Sequence, residues 1–169
     1  MTTAVMTPLA RRIIDALPSL RRYTHALTGD RRLGDRYVEV ALAVLAEEPW
    51  HVRASGDVRH QLYRLIHRVQ DALSVPGVEA IATSSGESPR SDLTARLQAL
   101  PLPSRKLLLL TTVEGLTLET SATLVDMPPH LARVLLARAR MALADHPAHS
   151  TLPAWSEPCL SSHSESARI

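Results

Sequence analysis

Residues 116–140, LTLETSATLVDMPPHLARVLLARAR, limit what this chain can fold into more tightly than any other stretch. Thr117 is a helix-capping residue type, and Glu119 enters the first turn, where a negative charge meets the positive end of the helix dipole. LETSATLV then forms a short helix. DMPP interrupts it, because proline cannot continue a helix from within. Pro129 can still open the next helix, since a first-turn residue has no intrahelical N–H partner to lose. PHLARVLLARARMALAD supplies that helix, and Pro147 ends it. Two helices around a tight turn are the layout of a helix-turn-helix. What the second helix meets depends on the residues along its outer side.

The rest of the chain is punctuated in the same way. Pro8 opens PLARRIIDAL, Pro18 is expected to restart the chain into PSLRRYTHAL, and Thr28-Gly29 is a helix stop. Asp30 can cap RRLGDRYVEVALAVLAEE, in which Tyr37, Ala41, Val44 and Leu45, and also Val38 and Leu42, recur at helical spacing. Pro49 ends that helix. Ser55 or Asp57 caps VRHQLYRLIHRVQDAL, whose Leu62, Leu65, Ile66 and Val69 form one apolar stripe. Asp92 is expected to cap LTARLQAL, and PSRKLLLLTTVEG is a helix closed by Gly115. Phe is absent and aromatics are 3% of residues, so the core must be built from Leu, Ile, Val, Ala and Met. The expected fold class is therefore all-α. Residues 1–73 make one helical unit and 92–146 a second. Residues 74–91, with Pro, Gly and Ser and little periodicity, form a linker. The Ser-, Pro- and His-rich stretch 147–169 is expected to be a disordered tail. No repeat at a solenoid period is visible.

Charge and composition exclude several function classes. The formal net charge is +2. Residues 1–74 hold eleven arginines against eight acids, whereas 75–145 hold seven basic and seven acidic residues, a balance of zero. A DNA reader would be expected to concentrate positive charge in its reading unit. Cys159 stands alone, which rules out a disulfide framework or a cysteine zinc cluster. The start of the chain has no apolar run ahead of its arginines, and RKLLLLTTVEGL is too short to span a bilayer. A soluble, cytoplasmic protein without membrane contact is expected. His146, His149, Cys159 and His163 have donor atoms but no rigid metal-ligand spacing. His25, His60 and His67 lie among arginines on helices and are expected at the surface. No Ser/His/Asp order, paired-carboxylate pocket or phosphate-cradling glycine loop stands out. No catalytic residue, metal, cofactor or small-molecule substrate is expected, and the chain is not expected to be an enzyme.

The order of pieces resembles a small two-region sigma factor over roughly residues 9–144. LTGDRRLGDRYVEVALAVL and LYRLIHRV resemble region 2. LQALPLPSRKLLLLTTVEGLTLETSATLVDMP resembles region 4, in the pattern LPxxxRxxLLLxxxEGxxLxxxAxLxxxP. LPSLRRYTHALTGDRRLGDRYV with LYRLIHRV is, more narrowly, similar to the sigma-like domain of the PhyR family. That resemblance implies an anti-anti-sigma function. The domain would mimic a sigma factor, capture a NepR-like anti-sigma factor and so free the true sigma factor, EcfG, in the general stress response. A receiver domain gates this by aspartyl phosphorylation in the family. No receiver-like acidic strand end follows Leu143 in this sequence, so gating through this chain is not expected. A stand-alone protein and a truncated or frame-shifted gene are both consistent with that.

Three comparisons weigh the mimic against a working sigma factor. Matched to the family pattern, the outer face of the last helix carries His130, Leu131, Val134, Leu135 and Arg138. DNA readers place donors and acceptors there, because base discrimination comes from hydrogen bonds. Here three of the five are aliphatic, which suits a protein partner. The alternative is that Leu131 and Leu135 are core beside Ala132, Leu136, Ala139 and Leu143. Arg133, Arg138 and Arg140 are the residues that would contact DNA in a genuine extracytoplasmic-function-type sigma factor. In the helix from Arg31, Asp35, Val38 and Glu39 match the stretch with which sigma factors dock polymerase. Val40 and Val44 replace the charges expected there. Asp35, Glu39 and Val44 are therefore assigned to partner binding, against the alternative that the two acids are solvated helix charges. Third, Gln61 stands where sigma factors commonly carry Trp, and Tyr63 suits a core position, so a platform for flipped bases is hard to assemble. The preferred expectation is a protein that binds a NepR-like anti-sigma factor. The alternatives are a sigma factor that binds core RNA polymerase and promoter DNA, and a non-functional fragment.

Overall fold

The computed structural model describes residues 7–73 and 92–144. Its first helix, α1, spans Pro8–Thr28. Thr7 Oγ1 accepts from the Ala10 N–H at 3.2 Å, and Pro8 occupies the first turn. The break expected at Pro18 does not occur, and the helix runs through it. Proline costs a helix interior about 3 kcal/mol. On either side of it Ala16, Leu20, Tyr23, Thr24 and Leu27 are buried along one stripe, and each fully buried large apolar side chain returns roughly 1.5–3 kcal/mol. Packing therefore overrides the local penalty. Gly29 closes the helix at φ +69°, with its N–H on the His25 carbonyl at 2.9 Å. That left-handed conformation is open to glycine at no steric cost.

α2 spans Arg31–Glu47, with Asp30 accepting from the Leu33 N–H at 2.9 Å. Tyr37, Val38, Ala41 and Leu45 are buried, while Leu42 and Val44 are half-buried against the core. At Gly34, α2 lies close against α1. A Cβ there would lie 2.7 Å from the His25 ring and 2.9 Å from backbone atoms of Thr24 and His25. Pro49–His51 form a single 3₁₀ turn after α2. α3 spans Val58–Leu73, and Asp57, of the two expected caps, accepts from the His60 N–H at 3.2 Å. Leu62, Leu65, Ile66 and Val69 are all buried.

The second part begins with α4, Asp92–Ala99, of which Asp92 is the first residue rather than the residue ahead of it. α5 spans Leu102–Thr112, with Pro103 in its first turn, and Gly115 follows at φ +66°. α6 spans Leu118–Leu124, capped by Thr117 Oγ1 on the Thr120 N–H at 3.2 Å. α7 spans Pro129–Ala144. Between them Asp126 takes φ +55°, tolerated by a short polar side chain, and the Met127 N–H returns to the Ala122 carbonyl at 2.9 Å. The turn is thus tight and its backbone paired. No strand occurs among the described residues.

Helices α1, α2 and α3 pack on one another, and α5, α6 and α7 do the same with α4 alongside. The two groups are also packed together, through α5 and α4 on α1 and α6 on α3. The main core is shared: Leu109, Leu110 and Leu124 belong to the same buried cluster as Leu20, Tyr23, Leu27, Leu62, Tyr63 and Ile66. Two smaller clusters lie inside the second group, one of Leu100, Leu108, Leu136 and Ala139, the other of Leu107, Ala122 and Ala132. α2 packs chiefly on the first group and α7 chiefly on the second. The expected linker, the tail with His146, Pro147, His149, Cys159 and His163, and the first six residues lie outside the described residues.

Candidate functional site

α7 has one side inside and one side out. Ala132, Leu136 and Ala139 are buried, and Leu143 is half-buried beside them. Of the expected outer residues, His130, Leu131, Val134 and Arg138 are exposed. Leu131 is 42% and Val134 48% exposed, which is far above what a core residue shows. Leu135 differs: it is half-buried against the cluster of Leu107, Ala122 and Ala132. The face also extends further than the sequence argument took it. Met141, seven residues after Val134 and so two turns on along the same side, is 62% exposed. That spacing was present in the sequence. Arg133, Arg138 and Arg140 are exposed and make no hydrogen bond or ion pair among the described residues.

On α2, Asp35 is tied back to α1. Its Oδ1 lies 2.8 Å from His25 Nε2 and 3.8 Å from Arg21 Nε. Glu39 is exposed and pairs with Arg36 at 3.5 Å. Val44 is half-buried on the main core, as is Val40. The structure therefore keeps Asp35, Glu39 and Val44 on one helix and His130, Leu131, Val134 and Arg138 on another, and does not bring the two sets together. Gln61, at the position of the missing Trp, is engaged with its own loop: Oε1 accepts from the Arg53 N–H at 2.7 Å and Nε2 donates to the Arg53 carbonyl at 3.0 Å. Tyr63 is fully buried.

Sequence reasoning missed the junction between the two groups. Glu114, just after α5, has a fully buried side chain. Arg22 from α1 donates to it at 3.2 Å, Arg59 from α3 closes on Oε2, and the Tyr63 hydroxyl donates to Oε2 at 2.5 Å. Burial, together with this carboxylate, pushes the Tyr63 phenol up, which keeps it a donor. A clue lay in the sequence: an acid directly after the apolar run of α5 must find cations or leave a charge uncompensated. His67, expected at the surface, is buried at the same junction. Its Nδ1 lies 3.0 Å from the Leu124 carbonyl and its Nε2 2.7 Å from the Tyr23 hydroxyl. A carbonyl can only accept, so Nδ1 carries the proton and Nε2 accepts from Tyr23. Burial, reinforced by the charge of Lys106, lowers the His67 pKa to about 4, so the ring is neutral. Around these, Lys106 pairs with Asp71 at 3.0 Å. Arg105 and Gln98 donate to the last carbonyls of α1, Arg105 to Leu27 at 2.9 Å and Gln98 to Ala26 at 3.1 Å.

The fold is similar to that of solved structures. The PhyRSL–NepR complex from Sphingomonas sp. Fr1 matches with a TM-score of 0.65 and 29% identity, over 82% of this chain and 88% of that one. The sigma factor RpoE in complex with the anti-sigma factor NepR, from Bartonella quintana, matches with a TM-score of 0.65 over 79% of this chain and 92% of that one. At 16% identity the second likeness is one of fold alone. The fold is that of a sigma-like protein. A family model described as the sigma-2 domain of PhyR matches residues 13–67. The phyllosphere-induced regulator PhyR of Methylorubrum extorquens is 33% identical over 154 residues, covering 89% of this chain and 55% of that protein. Residues 13–67 thus match a PhyR-type sigma-2 domain, and the chain as a whole is similar to PhyR and spans about half the length of that curated relative.

Proposed function

We propose that this chain is a sigma-factor mimic that binds and sequesters a NepR-like anti-sigma factor, and so regulates general stress response transcription. The outer face of α7 carries the argument. Where a DNA-reading helix needs donors and acceptors, Leu131, Val134 and Met141 present carbon to solvent. An amphipathic partner helix gains from covering such a face, and a phosphate backbone does not. The acids Asp35 and Glu39 on α2 offer a second contact, with Val44 further along the same helix. The chain acts by binding rather than by catalysis, in the cytoplasm, where transcription regulators meet their partners. The fold shared with a PhyR and with a sigma factor, each solved with NepR, supports mimicry.

A working sigma factor is the second reading, and two observations favour it. Arg133, Arg138 and Arg140 are exposed and have no ion-pair partner among the described residues, and Trp50, after α2, is 65% exposed. Titration of the purified chain against a NepR-type anti-sigma protein, with core polymerase and promoter DNA in parallel, separates the two. Tight anti-sigma binding without polymerase binding is the expected result. Polymerase binding with steeply salt-dependent DNA affinity would establish the sigma factor instead.

A further inference from the structure

The α2 face belongs to the first helix group and the α7 face to the second, so one partner that meets both is sensitive to how the two groups are set against each other. Apolar contact across the junction is non-directional and tolerates small slips. Directional contact is what fixes a register, and charge-assisted forks are its strongest form. Glu114 receives donors from α1 and α3 at once, through Arg22, Arg59 and Tyr63, with its side chain fully buried. A slipped arrangement would leave this carboxylate buried and partly unpaired, which is strongly unfavourable.

We propose that Glu114 is a positioning residue for partner capture: it sets the separation and angle of the α2 and α7 faces without touching the partner. This rests on the reading that a NepR-like partner engages both faces. The other junction contacts (Lys106 with Asp71, His67 with the Leu124 carbonyl, and Arg105 and Gln98 with the last carbonyls of α1) each reach a single helix of the opposite group and constrain it less.

The test pairs a distance measurement with a titration. Spin labels on Ala43→Cys and Ala137→Cys, exposed positions on α2 and α7, report the placement in a Cys159→Ser background. The Glu114 chain should give one narrow distance, and Glu114→Gln a broad distribution at unchanged helicity. Anti-sigma affinity of Glu114→Gln, without labels, should fall about tenfold, as expected when only a tenth of molecules hold the competent placement. Arg59→Lys, which keeps charge but cannot hold Glu114 and the Tyr63 hydroxyl at once, should fall between. If Glu114→Gln loses helicity, Tyr63→Phe takes its place and should broaden the distribution and weaken binding to a smaller degree. A narrow distribution in the variants, or broadening with unchanged affinity, overturns the positioning role alone. Failure of the unsubstituted chain to bind the anti-sigma protein overturns the functional reading, and the positioning role with it.

Discussion

The phenol of Tyr23 on α1 donates to Nε2 of His67 on α3 across 2.7 Å, while the opposite nitrogen of the same ring holds the α6 carbonyl of Leu124 at 3.0 Å. One neutral imidazole thereby links three helices from both groups. Its pKa is lowered to about 4, against about 6.5 in an unfolded chain. Between those values the unfolded chain binds a proton that the folded chain does not. The contribution of His67 is therefore complete above about pH 6.5 and is lost as pH falls to about 4, a loss of about 3 kcal/mol. Denaturant midpoints between pH 7.5 and 4 should show this decline. His67→Gln should flatten it, and an equal slope in the variant would remove His67 as its source.

Much of the local architecture was legible because it is written in neighbouring residues. Asp30 and Thr117 cap where expected, Gly29 stops α1, Pro129 opens α7, and the stripe of Leu62, Leu65, Ile66 and Val69 is buried. What was not legible depends on distant partners. Pro18 sits inside a helix because the stripe on either side of it is buried against α2 and α3. His67 is buried because α6, 57 positions away, lies over it. Glu114 meets Arg22 across a separation of 92 residues, a pairing no local pattern announces. The site was legible in part: the aliphatic outer side of α7 followed from helical spacing. That α2 and α7 belong to two helix groups docked on one shared core depends on contacts between distant residues.

Gly34 should be intolerant of even the smallest side chain. A Cβ at this position meets backbone atoms of Thr24 and His25 at 2.9 Å, and backbone cannot rotate aside as a side-chain tip can. Gly34→Ala is expected to destabilise by about 1–3 kcal/mol, the range for an overpacked contact. This runs against the usual gain of alanine over glycine in a helix. A midpoint equal to or above that of the unsubstituted chain would show that α1 and α2 can separate at little cost.

The shared core predicts joint unfolding. Leu110 is fully buried at the junction, in the same cluster as Tyr23 and Tyr63. Leu110→Ala should cost about 2–5 kcal/mol. It should do so for both groups, because the main core draws on both. Native-state hydrogen exchange reads this directly: the slowest amides of α3 and α5 should report one common opening free energy and fall together in the variant. Protection lost in α5 while α3 stays unchanged would mean two independent units.

The division of labour within α7 gives the sharpest test of the functional reading. Val134 is 48% exposed, whereas Leu135, the next residue, packs on Leu107, Ala122 and Ala132. Val134→Asp places a charge where water already reaches, so stability should change by only about 0.5 kcal/mol. If the face binds an anti-sigma helix, that charge must be desolvated in the complex, and affinity should drop at least tenfold, about 1.4 kcal/mol. Leu135→Asp should instead destabilise the fold by about 1–3 kcal/mol, with its binding defect following from that. Thermal unfolding and calorimetric titration of both variants with a NepR-type protein decide the matter. Unchanged affinity in a stable Val134→Asp chain would place the partner elsewhere. Equal instability in the two variants would mean that Val134 is core, and that the α7 face is not presented to any partner.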